Sequence, residues 1–385
     1  NFQAGSQAGS GPQSALSSGA ATPSAGASSV SVASLTAALQ KLGGDTPILE
    51  HLSEVQRAQK PSDVKKQAEQ IAQKILQAPS AGVVEEWRLL EVLKSLAKPK
   101  NTALIRELAP LIVQQLALQM AGQTPKEAHL VQFFGAVFDL FTDKDKNVLR
   151  TAKHTVDVMY GVFPVEAVGS IVLDTLIEYL ASSAKWNLKI AALQIVDRVI
   201  DEVPADLLEM KFRTAVPVLT DLATDFKPEL AAQGLQTLKK FVKVLDNLDL
   251  QNKYDLIVET LADPKKVPEC IKNFSLVTFV AEVTEPVLSL MVPILDKSLK
   301  MSSSSNDQLR QTVTVTENLT RLVNNRREIE SYIPILMPGV EKVVNNASLP
   351  EVRTLGAKAL QVLQEAKDEQ CDGKFHGRIS VATAE

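Results

Sequence analysis

Residues 331–365 read SYIPILMPGVEKVVNNASLPEVRTLGAKALQVLQE, and the spacing of their apolar residues decides the fold. Ile333, Leu336, Val340 and Val343 recur at three- and four-residue steps, which puts them on one face of an α-helix. Val352, Leu355, Ala359 and Val362 repeat that spacing after a polar turn. Ser348 and Glu351 have the S-x-x-E spacing of a capping box, which predicts that the second helix starts there. The stretch is therefore expected to form a hairpin of two helices, each with an apolar stripe. A single hairpin is too thin to bury both stripes and needs neighbours of its own kind.

Those neighbours are present. The apolar residues that open successive second helices are Val64, Ile105, Val148, Leu188, Leu230, Val267, Leu309 and Val352, separated by 41, 43, 40, 42, 37, 42 and 43 residues. A step this steady near 40 is the mark of one supersecondary unit stacked in series, and the pattern is that of a HEAT repeat. Small residues follow at the expected helix crossings, namely Ala109, Ala152, Ala192, Gly234 and Gly356. Prolines recur within the first helices at Pro217, Pro293, Pro334 and Pro338, where they are expected to bend a helix along a curved stack. The expected fold is an all-α HEAT-repeat solenoid of seven to eight helical hairpins over 33–366, with the unit near Asp45–Ala78 the weakest match.

One stretch argues for something else. FSLVTFVAEVTEPVLSLMVPIL, Phe274 to Leu295, is long and apolar enough for a membrane span or a buried strand. Glu282, Glu285, Pro286 and Pro293 interrupt it, and ionised groups at mid-bilayer are costly. It reads instead as the end of one second helix, FSLVTFVAEV, then a corner at 284–286 and the start of the next repeat, with Glu282 facing outward or finding a partner.

Residues 1–32 are expected to be a disordered leader, since 20 of the first 30 residues are Ser, Ala or Gly and bury too little to offset their ordering entropy. Residues 367–385 read as a polar linker. The chain has no initiator Met and no closing signal, so a piece of a longer protein is expected. Two cysteines provide no disulfide framework, which suits a reducing compartment. A formal charge of -4 argues against a generic nucleic-acid binder such as a DNA-binding protein, though not against a local basic face.

Motifs for catalysis are lacking. Gly373-Lys374 is without the rest of a phosphate-binding loop, and no G-x-S-x-G or H-E-x-x-H occurs. Cys371 and His376 supply only two of the four ligands of a structural zinc site. His129 and His154 read as surface or packing residues and Cys270 as a small buried hydrophobe. No catalytic, cofactor or metal site is expected in these residues. The candidate binding residues are lysines in the turns inside successive repeats: Lys98, Lys100, Lys144, Lys146, Lys185, Lys227, Lys265 and Lys266. Equivalent turns of a solenoid line up along one edge, so five repeats are expected to present a basic ridge to a phosphate backbone. The plain alternative is that turns are solvated and lysine is common there, with Asp143, Asp145, Asp225 and Asp263 diluting the charge. Trp186 is expected to staple two repeats or, if exposed, to anchor a contact, with burial favoured. SSSSND (302–307) reads as a solvated connection, and Arg326 and Arg327 lie between helices.

KVPECIKNFSLVTFVAEVTEPVLSLMVPIL, AKWNLKIAALQIVDRV and AVPVLTDLATDFKPELAAQGLQTL closely resemble the HEAT region of the fungal translation elongation factor 3 family, over about 85–365. EEWRLLEVLKSLAKPKN, DNLDLQNKYDLIVETL, SSSSNDQLRQT and LVNNRREIES resemble the prion-forming paralogue branch more than elongation factor 3 itself. The leader lacks the Asn- and Tyr-rich repeats of that branch. The resemblance implies a ribosome-binding arm of a cytoplasmic, monomeric ABC-F ATPase acting in late elongation or in termination and recycling. Its partners would be rRNA and ribosomal proteins, with no membrane and no DNA. ATP and Mg would be held by cassettes beyond Glu385, so no nucleotide-binding residue carries over. The competing reading is a HEAT scaffold for a protein partner, such as a tubulin-binding TOG-like module.

Overall fold

A computed structural model describes residues 32–43, 47–58, 60–78, 80, 82–121 and 127–371; all of the expected leader but Val32, and most of the expected linker, fall outside them. Among the described residues the chain is helical and contains no strand. A lone helix, Val32–Gly43, precedes eight helix pairs. The second helices of units 1 to 8 are Pro61–Gln77, Ala103–Met120, Lys146–Val162, Trp186–Glu202, Pro228–Val242, Val267–Ser275, Asn306–Leu322 and Pro350–Cys371. Each begins at or just before its expected opening apolar residue.

Seven of those eight opening residues are buried in the continuous apolar core. Burying such side chains contributes roughly 1.5–3 kcal/mol apiece. Leu309 is the exception and is only partly buried. In unit 7 the inward position falls one residue earlier, on Gln308, whose Nε2 donates to Ser298 Oγ at 2.9 Å. Ser298 Oγ also lies 2.7 Å from Thr312 Oγ1, and Thr312, Thr316 and Thr320 each donate to the carbonyl four residues back. A buried polar seam of this kind is tolerable only because each hydroxyl finds a partner.

First helices are less regular. In unit 2 the segment splits into Val83–Glu86 and Leu89–Leu96 at Arg88, whose φ of 48° is left-handed. Unit 3 uses 3-10 turns around Phe134–Phe138, and unit 4 opens through a π turn at Val168–Val172. The second helices carry the even stacking.

Two local expectations are corrected. Ser348 does not cap the last helix: its hydroxyl donates to Asn306 Oδ1 at 3.0 Å, and Pro350 opens the helix with its fixed φ. FSLVTFVAEV is not helical beyond Ser275; residues 277–284 form an irregular connector. Its Val-, Thr- and Phe-rich composition disfavours helix. Asp249 straps it, one carboxylate oxygen accepting from Val280 N at 2.9 Å and Ala281 N at 2.8 Å. Val283 is buried while Leu276 and Val280 are exposed. Glu282 is exposed as expected and accepts from Asn324 Nδ2 at 2.9 Å. No helix of the described residues is long and apolar enough to cross a membrane.

Glycine is required at the crossing in unit 5. A Cβ on Gly234 would sit 2.9 Å from the Leu222 carbonyl carbon and 3.0 Å from Ala223 N. Those are backbone atoms, so the helices themselves would have to part. Gly234→Ala is expected to destabilise by about 1–2 kcal/mol despite alanine's better helix propensity, since overpacking costs about 1–3 kcal/mol. Urea denaturation of the two proteins checks this.

Candidate nucleic-acid interface

The turns inside units 3, 5 and 6 are closed by acids that face inward, while Thr102 and Ser305 cap those of units 2 and 7. Asp145 Oδ1 accepts from Asn147 N and Val148 N at 2.9 and 3.2 Å, capping the second helix of unit 3. Asp225 Oδ1 accepts from Lys227 N at 2.9 Å, and Asp263 Oδ1 accepts from Lys265 N at 3.0 Å. A carboxylate at a helix N-terminus also meets the positive end of the helix dipole. Asp143 is held differently. Arg106 donates from Nε and Nη2 to its two oxygens at 2.7 and 2.8 Å, and the two side chains are only 12% and 8% exposed. The acids that dilute the ridge in the sequence are thus all engaged in closing turns.

The lysines face the other way. Lys98, Lys100, Lys144, Lys146, Lys185 and Lys265 are exposed and make no ion pair among the described residues. Two of the eight candidates are engaged. Lys266 Nζ donates to Glu259 Oε2 at 2.5 Å. Lys227 lies with its Nζ 4.3 Å from the centre of the Trp186 ring, with Glu229 at 3.9 Å. Successive turns touch: Arg106 of unit 2 reaches Asp143 of unit 3, Lys227 of unit 5 reaches Trp186 of unit 4, and Ser348 of unit 8 reaches Asn306 of unit 7.

Trp186 is 48% exposed rather than buried, because it opens its helix at the turn, and the Lys227 cation lies over its face. Phe226, in the same turn as Lys227, is 104% exposed. Sequence reasoning passed over it, although an aromatic in a short turn between Asp225 and the Lys227-Pro228 helix start was the available signal. Arg106 was missed too; its Nη1 also donates to Asn101 O at 2.5 Å, closing its own turn. Arg353 makes the equivalent bond in unit 8, to Ala347 O at 2.6 Å. The other candidates resolve into structure. Ser305 caps the second helix of unit 7 by accepting from Gln308 N at 3.1 Å, and Arg326 donates to Thr320 O at 2.6 Å. Cys270 is buried, and burial pushes its thiol up to about 11. His154 is exposed, while His129 Nδ1 lies 3.0 Å from Glu85. The pairing of Cys371 with His376 falls outside the described residues.

A hollow of about 380 Å³ opens between units 2, 3 and 4, lined by Lys94, Gln132, Asp139, Thr175, Glu178 and Tyr179 among others. Tyr179 Oη donates to Asp139 Oδ1 at 2.5 Å and lies 3.0 Å from Gly135 O. Burial first, then the Asp139 carboxylate, pushes that phenol upward and keeps it protonated. The hollow joins neighbouring units through this donor and holds no nucleophile paired with a base.

Paired helices stacked in series, with charge and aromatics displayed on their turns, define a HEAT-repeat array. Residues 64–238 match the family described as EF3 N-terminal HEAT repeat, and residues 266–374 match Elongation factor 3/GNC1 HEAT repeat. The chain belongs to the elongation factor 3 HEAT-repeat family. It is 52% identical over 362 residues to the NU+ prion formation protein 1 of Saccharomyces cerevisiae, which covers 94% of this chain and 30% of that protein. It is 30% identical over 324 residues to the mRNA export factor elf1 of Schizosaccharomyces pombe, covering 84% of this chain and 30% of that protein. Elongation factor 3A of Saccharomyces cerevisiae is 27% identical over 256 residues, 66% of this chain and 24% of that protein. The chain spans less than a third of the length of these relatives.

Proposed function

We propose that these residues form the ribosome-binding arm of a cytoplasmic translation factor of the elongation factor 3 type, which grips rRNA through the lysine edge. The carrying observation is the division of charge in the turns, with acids engaged in caps and six lysines left unpaired and outward. A phosphate backbone suits such an edge, since each neutralised phosphate releases counterions. The arm's task in this reading is positional. ATP hydrolysis, with its Mg, belongs to cassettes elsewhere in the whole protein, and no residue here is assigned to it.

The test is co-sedimentation with ribosomes across a salt series, comparing the chain with a variant carrying Lys98, Lys100, Lys144, Lys146 and Lys265 reversed to Glu. Each lost phosphate contact lowers the salt slope by roughly 0.7–0.9, so five should flatten it by about 4 and weaken binding by orders of magnitude. Unchanged affinity and slope would sink the lysine edge. The exposed Trp186 and Phe226 favour a second reading, a scaffold for a protein partner such as tubulin. Pelleting with tubulin in place of ribosomes separates the two.

A further inference from the structure

We propose that Phe226 is a stacking platform for an unpaired nucleobase of an RNA strand, with the flanking phosphates lying on Lys185 and Lys227; this deepens the rRNA reading above and rests on it. Phe226 is the one phenylalanine among the described residues that is exposed. A lone exposed apolar side chain is ordinary, and Met210, Leu248 and Val280 are others; what sets Phe226 apart is the pair of lysines and the indole grouped around its turn.

Its position is fixed before anything binds. Asp225 N donates to Leu222 O at 3.1 Å, Asp225 Oδ1 accepts from Lys227 N, and Pro228 follows at the first helical position. The tip between these anchors has little freedom to lose on binding. Lys227 lies over the indole of Trp186, with Glu229 at 3.9 Å, which ties the unit 5 tip to the unit 4 turn and leaves a cation on the residue next to Phe226. Lys185, next to Trp186, is exposed and without an ion pair. Cations flanking an open aromatic face suit a nucleotide better than an apolar peptide, which has no use for the charge. A paired helix keeps its base faces stacked, so the ligand is a loop, bulge or single strand.

Three fluorescently labelled probes of equal length test this by anisotropy: a single-stranded hexaribonucleotide, its abasic counterpart and a duplex. The chain is expected to bind the base-bearing single strand about tenfold more tightly than the abasic one. Phe226→Ala should erase that preference, and Phe226→Trp should retain it. Neither variant should change the salt slope, because no charge is altered. Far-UV circular dichroism verifies that both fold, as an exposed tip requires. Equal, salt-dependent binding of base-bearing and abasic strands by the unaltered chain overturns the stacking platform and leaves the lysine edge standing. Binding of none of the three probes overturns both.

Discussion

Phe212→Ala is expected to cost about 3–5 kcal/mol, the range for deleting a fully buried aromatic, and to open unit 5 locally before the rest of the stack. Phe212 has 0% exposure and packs on Phe241, also 0% exposed, with ring centres 4.7 Å apart. These rings join the two helices of one unit. Truncation leaves a void that the helices can close only by moving together, and Gly234 already brings them into backbone contact. In a stacked array each unit leans only on its neighbours, so the loss is not shared over the whole chain. Hydrogen exchange should show faster exchange within residues 205–242 while unit 8 keeps its protection. Uniform loss of protection along the chain would contradict this.

Arg106→Ala is expected to cost about 2–4 kcal/mol at neutral pH, just short of the penalty for stranding a fully buried charge. Burial works to raise the Asp143 carboxyl, but the Arg106 hydrogen bonds, the backbone amides of Asp145 and Lys144 and the Arg106 charge hold it below the usual carboxylate range. An acid whose folded pKa is lowered contributes stability in full above its ordinary value, about 3.9, and loses that contribution as the pH falls through the lowered value. The gap between wild type and variant should therefore be widest near pH 7 and narrow below about pH 4. Thermal melts across that range, with Asp143→Ala and the double variant to complete a cycle, measure the coupling. A gap independent of pH would mean that Arg106 acts by packing alone. Because the Asp143 turn also positions Lys144 and Lys146, the ribosome binding proposed above should weaken in the same variant.

The repeat was legible because its period and stripes are local, and every second helix lies where Val64 through Val352 placed it. What escaped was decided by contacts distant in sequence. Gln308 takes the inward place of Leu309 because Ser298 offers it a hydrogen bond. Residues 277–284 look helical by hydrophobicity alone, yet Asp249, some thirty residues back, holds them as a connector. The lysine turns could be located from spacing. Which lysines are unpaired could not, since Lys266 and Lys227 are claimed by Glu259 and Trp186 through folding. Phe226 is the converse, a residue whose meaning comes from finding no partner.

The separation of duties in the turns bears on how such an arm can change over generations. Acids hold the loop shapes of units 3, 5 and 6, whereas the unpaired lysines of units 3 and 6 beside them hold nothing. Drift at the lysines can then alter what is gripped, one contact at a time, without passing through a misfolded ancestor. The acids have no such latitude. Paralogues built on one array could diverge in their targets while their loops stay superimposable, because recognition and architecture are written in adjacent but separate letters.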